Sequence, residues 1–274
     1  VDDYVRLNRA NWDERAPVHA ASTDYAIDRF VADPAFLSEV VRFDRPRLGD
    51  LAGLRTVHLQ CHIGTDTISL ERLGAEVTGL DFSPAALAQA RELTERTGAA
   101  ARFVQAELYD ALTVLEPASF DLVYTGIGAL CWLPDVRRWA DVVAGLLRPG
   151  GRLFIREGHP MLWSLDDAVG DRMVVEYPYF ERPEPMVFSD GGTYVETDVV
   201  LANEVTHEWN HGLGEIVSAL LDAGLVIDGL EEHDSVPWEA LPGQMVRDGT
   251  GEWRLTDRPW RLAASYTLRA RRMR

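Results

Sequence analysis

From about residue 55 onward, the chain alternates short apolar runs with amphipathic helical patterns, and this alternation limits the possible folds more than any other feature. It is the signature of βαβ units, in which parallel strands are joined by helices that cover the faces of a sheet. RTVHLQ (55–60) reads as a first strand, TDTISLERLG (65–74) as a short helix stopped by Gly74, and AEVTGLD (75–81) as a second strand. Ser83 and Pro84 start the next helix, because a Ser hydroxyl accepts an orphan amide hydrogen and Pro at the first helical position gives up no needed donor. Leu87, Ala90, Arg91 and Leu93 carry that helix to Gly98.

ARFVQAE (101–107) and SFDLVYTG (119–126) supply the third and fourth strands, and Pro134 to Leu147 an amphipathic helix. RPGG then turns the chain into RLFIRE (152–157), the fifth strand. A helix from Gly214 to Ala223 is followed by LVIDGLEEHD (225–234) as a strand, and RLAASYTLRA (261–270) alternates as a final, edge strand. The expected class is therefore α/β, a Rossmann-like, mostly parallel sheet flanked by helices. Two segments stand outside the alternation. Residues 1–50 read as an N-terminal helical cap on a main domain spanning 51–274. Within that domain, residues 157–210 form an insertion between the fifth strand and its following helix, rich in turns and aromatic residues and placed to act as a lid.

A net charge of −17 argues against nucleic acid and anionic membrane surfaces as partners, and the basic run Arg269 to Arg274 reads as a solvated tail. No apolar run reaches the length of a membrane helix, and VDDYVRLNRANWDER is too charged for a signal peptide. Cys61 and Cys131 form no metal or disulfide spacing, which fits a reducing cytoplasm; a monomer or homodimer is expected.

In such a sheet the ligand crevice lies outside the carboxyl ends of the strands. The residues there are Gln60 to Gly64 after the first strand, Asp81 after the second, Glu107 after the third and Gly126 after the fourth. A carboxylate ending the second strand offers two acceptor oxygens to the hydroxyls of a ribose, although a helix-entry role beside Ser83 also accounts for it.

VHLQCHIGTDTISLERLGAEVTGLDFSPAALAQAREL, followed by FVQAELYD, FDLVYTGIGALCWLPD and LLRPGGRLFIRE, resembles the ordered motifs of class I S-adenosylmethionine-dependent methyltransferases. The variant LQCHIGTDT resembles a bacterial, small-molecule type. The resemblance implies a seven-stranded sheet with an antiparallel last strand and S-adenosyl-L-methionine as cofactor. Asp81 would take the ribose, Phe82 would flank the adenine, and Glu107 with Leu108 would meet its edge. Gly126 would leave room beside the methionine portion. The usual first motif has an acidic residue and three spaced glycines, where this chain has His58, Gln60, His62 and only Gly64. Backbone amides, or Gln60 and His62, would then bind the methionine carboxylate. Trp12 and Tyr25 are placed to close over a sulfonium, or to pack as core.

Methyl transfer from a sulfonium is an in-line displacement, so a general base is needed only when the acceptor must lose a proton. The candidates are His159, His207 and His211. The last two share a face around Trp209 if THEWNH is helical, but the spacing is not His-Glu-x-x-His and no metal site is expected. A small-molecule acceptor suits the aromatic insertion. The alternatives are a cofactor-binding protein without turnover, motivated by the missing glycines, and a nicotinamide-dependent oxidoreductase, which the absent Gly-x-Gly-x-x-Gly disfavours.

Overall fold

Three helices, α1 (Asp3–Ala21), α2 (Ile27–Ala32) and α3 (Glu39–Leu48), precede the first strand in the computed structural model, which describes residues 3–189 and 191–274. The alternating part runs β1 (Arg55–Leu59), α4 (Thr65–Arg72), β2 (Glu76–Asp81), α5 (Pro84–Thr97), β3 (Arg102–Gln105), α6 (Ala111–Val114), β4 (Phe120–Thr125), α7 (Val136–Leu146) and β5 (Leu147–Gly158). The insertion contributes α8 (Pro160–Trp163), β6 (Met186–Ser189) and β7 (Val205–Glu208), and α9 (Leu213–Asp222) and β8 (Leu225–His233) follow. β9 (Ser235–Val236), β10 (Met245–Arg247), β11 (Trp253–Leu255) and β12 (Ser265–Arg272) complete the chain.

The main sheet has seven strands in the order β3-β2-β1-β4-β5-β12-β8. β1 to β5 are mutually parallel, and β12 is antiparallel to both β5 and β8. The last strand is thus interior, and β8 is the edge. The alternation in RLAASYTLRA reflects two unlike faces, since Leu268 and Ala270 are buried while Arg269 and Arg271 are not. It carries no information about neighbours in the plane of the sheet. The small sheet β10-β11-β9 was not read from the sequence, because its strands are three residues or fewer.

Local chemistry explains the helix boundaries. The Ser83 hydroxyl accepts from the Ala86 amide, Pro84 follows it, and Gly98 closes α5 in a left-handed conformation. On one sheet face, Trp139 and Val143 of α7 and Leu220 of α9 bury against Val57, Val123 and Ile155. Each such side chain contributes about 1.5–3 kcal/mol on burial. On the other face, Val41 and Leu48 of α3 and Leu70 of α4 cover Leu122, Tyr124 and Phe154. This second face also holds polar groups. Tyr124 donates to Asp44 (2.7 Å), and Arg156 of β5 pairs with Glu252 beside β11 (2.6 Å), tying the small sheet to the large one.

α1 is fastened to the insertion. Asn8 bonds both the amide and carbonyl of His207, Asn11 donates to the Asn203 carbonyl and Arg15 to that of Gly192, and Glu14 accepts from the amides of Ala202 and Asn203. These bonds place the helical segment and the insertion together over the first loop of the sheet.

Candidate functional site

β1 ends at Leu59, and five residues carry the chain into α4. Gln60 (φ 54°), His62 (φ 49°) and Gly64 (φ 79°) all adopt left-handed backbone conformations. For a residue with a Cβ this costs about 1–2 kcal/mol, so two strained residues persist only because their surroundings hold them. Gln60 Nε2 donates to the Ala129 carbonyl (2.9 Å), the Cys61 amide to Leu80 (3.0 Å) and the His62 amide to Asp81 Oδ2 (2.8 Å). Ile63 is buried against Ala16 of α1 and Ala86 of α5. At Gly64 a Cβ would lie 2.9 Å from Ala90 Cβ and 3.1 Å from the Phe103 ring, so glycine is required on two counts. Gln60 and His62 stand at positions where the resemblance places glycines, and the backbone bends as glycines would allow.

Asp81 holds this loop against the next helix, because its second oxygen accepts from the Ser83 amide (2.9 Å). It is buried, which pushes its carboxyl up to about 6. A carboxylate has about four lone-pair sites, so these two bonds leave acceptor capacity for hydroxyl donors. Beyond Asp81, Phe82 and Glu107 line a cavity of about 400 Å³, roofed by Tyr4, Val5 and Arg9 of α1. Leu108 points elsewhere, into the main core. Gly126 lies where β4 ends; a Cβ there would sit 3.4 Å from Asp66 Oδ2 and 3.6 Å from His58 Nε2, so β1, β4 and the first turn of α4 converge at that point.

Over the loop sits a cluster of rings. Trp12 meets His62 edge-on at 5.0 Å and Trp132 at 5.1 Å, and Tyr25 stacks on His19 at 5.4 Å. His19 Nδ1 shares a hydrogen bond with His62 Nε2 (2.9 Å), its Nε2 bonds Thr193 Oγ1 of the insertion, and Tyr25 bonds Tyr194. Burial lowers His19 to about 3 and His62 well below its ordinary value, so both imidazoles are neutral at physiological pH.

Residues 57–153, the stretch that contains this loop and the ends of β1 to β4, match the model of the methyltransferase domain family. This stretch is similar to a methyltransferase domain. Over 106 residues it is 34% identical to a ubiquinone biosynthesis O-methyltransferase of Xanthomonas euvesicatoria pv. vesicatoria, covering 39% of this chain and 44% of that protein. A protein of the same name from Ralstonia nicotianae is 36% identical over 109 residues, covering 40% and 45%. The chain therefore spans under half the length of these curated relatives. Among solved structures, an S-adenosylmethionine-dependent methyltransferase from Mesorhizobium loti superposes with a TM-score of 0.59 at 25% identity, covering 86% of this chain and 98% of that one. A geranyl diphosphate C-methyltransferase from Streptomyces coelicolor, solved with S-adenosyl-L-homocysteine, shares the fold at 15% identity, with a TM-score of 0.53 and coverage of 85% and 78%.

The histidines expected outside the methyltransferase loop are placed apart from one another. His159 Nδ1 accepts from the Met161 amide as the cap of α8, and its Nε2 faces Glu232 (3.0 Å). His211 has acceptors on both sides, with Glu181 at Nδ1 (2.6 Å) and the Leu133 carbonyl at Nε2 (2.8 Å). THEWNH is not helical: His207 lies in β7, paired with Val187 of β6, and His211 lies beyond the strand, so the two share no helical face. No group of three or more His, Cys, Asp or Glu among the described residues is arranged to hold a metal ion, and no described helix is long and apolar enough to cross a membrane. Two charged residues close to the Gln60–Gly64 loop, Asp66 and Arg15, were not singled out from the sequence. Asp66 was hidden within GTDT beside the more conspicuous Gly64, and Arg15 within a charged helical stretch.

Proposed function

We propose that this chain is an S-adenosylmethionine-dependent methyltransferase acting on a small molecule. The observation that carries the reading is the left-handed series Gln60, His62 and Gly64, braced by Asp81. A glycine-loop shape is kept there despite the strain of two side chains. The surroundings also fit the cofactor: the cavity bounded by Phe82 and Glu107 suits the adenine, and Asp81 has acceptor capacity for the ribose. Gln60 Oε1 and Thr125 Oγ1 are buried polar atoms without partners, positioned at strand ends where a polar ligand would satisfy them. When bound, the sulfonium supplies an activated methyl group.

The chain's own residues align and exclude water. Trp12 and Tyr25 cover the loop with aromatic faces, which attract a cation and keep bulk solvent out. His19 and His62, lowered as they are, serve as hydrogen-bonding walls and are poor proton acceptors near neutral pH. His159 and His211 secure α8 and the start of α9 through bonds that already occupy both ring nitrogens. The acceptor side is formed by the ring cluster and the insertion residues Thr193 and Tyr194. Both cysteines are buried thiols, which suits the reducing cytoplasm.

Titration calorimetry with S-adenosylhomocysteine tests the cofactor half. Asp81→Ala is expected to weaken binding by about 1–3 kcal/mol through lost charge-assisted hydrogen bonds, and unchanged affinity in a folded variant would refute the placement. Release of S-adenosylhomocysteine with a panel of small acceptors, starting with hydroxyl-bearing molecules because the curated relatives are named O-methyltransferases, tests turnover.

A further inference from the structure

The first motif lacks the acid that its resemblance leads one to expect, for His58 stands in its place. His58 cannot replace a carboxylate: its Nδ1 bonds Thr67 Oγ1 (2.9 Å) and burial lowers it to about 3, which leaves a neutral ring. The cofactor's methionine end nonetheless carries an ammonium and a carboxylate, and each needs a partner once it leaves water.

Two groups of opposite charge stand close to the Gln60–Gly64 loop. Asp66, in the first turn of α4, brings Oδ2 to the point where β4 ends at Gly126, next to His58 Nε2. Burial pushes its carboxyl up against a hydrogen bond with Ser38, and no arginine enters that balance. Arg15, on α1, is 9% exposed and lies against the rings of Trp12 and Trp132 at 5.3 and 5.7 Å. It donates to the Gly192 carbonyl, but its Nε is buried with no partner. Its charge reaches His62, and Tyr194 lies within the field of both Arg15 and Asp66. Gln60 Oε1 and Thr125 Oγ1, at the ends of the two central strands, are buried and without partners.

We propose that Asp66 and Arg15 together read the α-amino acid end of the cofactor, Asp66 holding the ammonium and Arg15 the carboxylate. The inference rests on the cofactor reading above. In this chain the anionic site has moved from His58 of β1 to the first turn of α4, eight residues further on, and the matching cation comes from α1, outside the sheet. Recruitment of α1 by the cofactor follows, because Arg15 is also one of the bonds that fasten α1 to the insertion.

The test compares two ligands by calorimetry. S-adenosylhomocysteine carries the amino acid end, whereas 5′-methylthioadenosine keeps the adenine, ribose and thioether and lacks it. Asp66→Asn and Arg15→Gln are each expected to weaken S-adenosylhomocysteine at least tenfold, as loss of a charge-assisted bond should, while methylthioadenosine binding changes less than twofold. Retained methylthioadenosine binding also shows that the variants fold. Equal weakening of both ligands, or of neither, overturns the assignment. Failure of the wild-type protein to bind either ligand instead overturns the cofactor reading on which it depends.

Discussion

Replacing Gln60 by glycine and, separately, by alanine puts the left-handed loop to a direct test. Both substitutions remove the Nε2 bond to the Ala129 carbonyl, a loss of about 1 kcal/mol, and both remove the unpaired Oε1, so these effects cancel in the comparison. What differs is the backbone. Alanine keeps the Cβ and with it about 1–2 kcal/mol of left-handed strain at φ 54°. Glycine relieves that strain but gains about 0.5–1 kcal/mol of unfolded-chain entropy. The glycine variant should therefore be the more stable by about 0.5–1 kcal/mol, against the usual order. In a domain of this size that corresponds to a difference in Tm of about 1–4 °C. Urea denaturation at fixed pH measures it, with Ala88→Gly on the exposed face of α5 as internal control; there glycine should cost about 1 kcal/mol. If the alanine variant at position 60 equals or exceeds the glycine variant, the loop does not have the shape described and the argument from it fails.

Gly64→Ala should destabilise by about 2–4 kcal/mol, since left-handed strain adds to overlap with Ala90 and Phe103; a thermal melt within 2 °C of wild type would contradict this. His159→Ala should cost about 1 kcal/mol through loss of the α8 cap while His159→Asn, a good capping residue, recovers most of it, and a turnover per folded molecule that falls in both variants would mark His159 as part of the chemistry after all. His58 supplies a pH prediction with a definite sign. Its folded value, about 3, lies below the unfolded value, so its contribution is present above about pH 6.5 and is lost as pH falls toward 3. Asp44, Asp66 and Asp81 are raised by burial and act in the opposite sense, so the whole-protein profile is flattened and only a variant isolates the histidine. Between pH 8 and pH 5, His58→Asn should lose about 2 kcal/mol less stability than wild type, measured as the shift in urea midpoint; an identical shift in both proteins would exclude a buried neutral imidazole.

Much of the fold was legible because the signals were local. Ser83 with Pro84, Gly74 and Gly98 mark helix ends through their own backbone chemistry, and the apolar runs at Val57, Leu80 and Val123 mark strands that are covered on both faces. The position of β12 was not legible, since alternation reports which face meets a core and not which strand lies alongside. The three-stranded sheet was missed because two- and three-residue strands have no period. That Asp81, Phe82, Glu107 and Gly126 stand at or just beyond strand ends could be read from the sequence. The left-handed backbone at Gln60 and His62 could not, because those residue types ordinarily argue against it. Nor could Asp66 and Arg15 be paired from sequence, since α1 reaches the loop only through tertiary packing.

The bonds that fasten α1 to the insertion fall mostly on main-chain atoms: the carbonyls of His207, Asn203 and Gly192 and the amides of His207, Ala202 and Asn203. A helix that grips its partner by the peptide backbone is indifferent to most of that partner's side chains. The insertion is thus a cassette. On the proposed reading, most of its side chains can diverge, or be exchanged by an engineer, to admit a differently shaped acceptor, while the same asparagines and glutamate of α1 keep it latched over the first loop of the sheet.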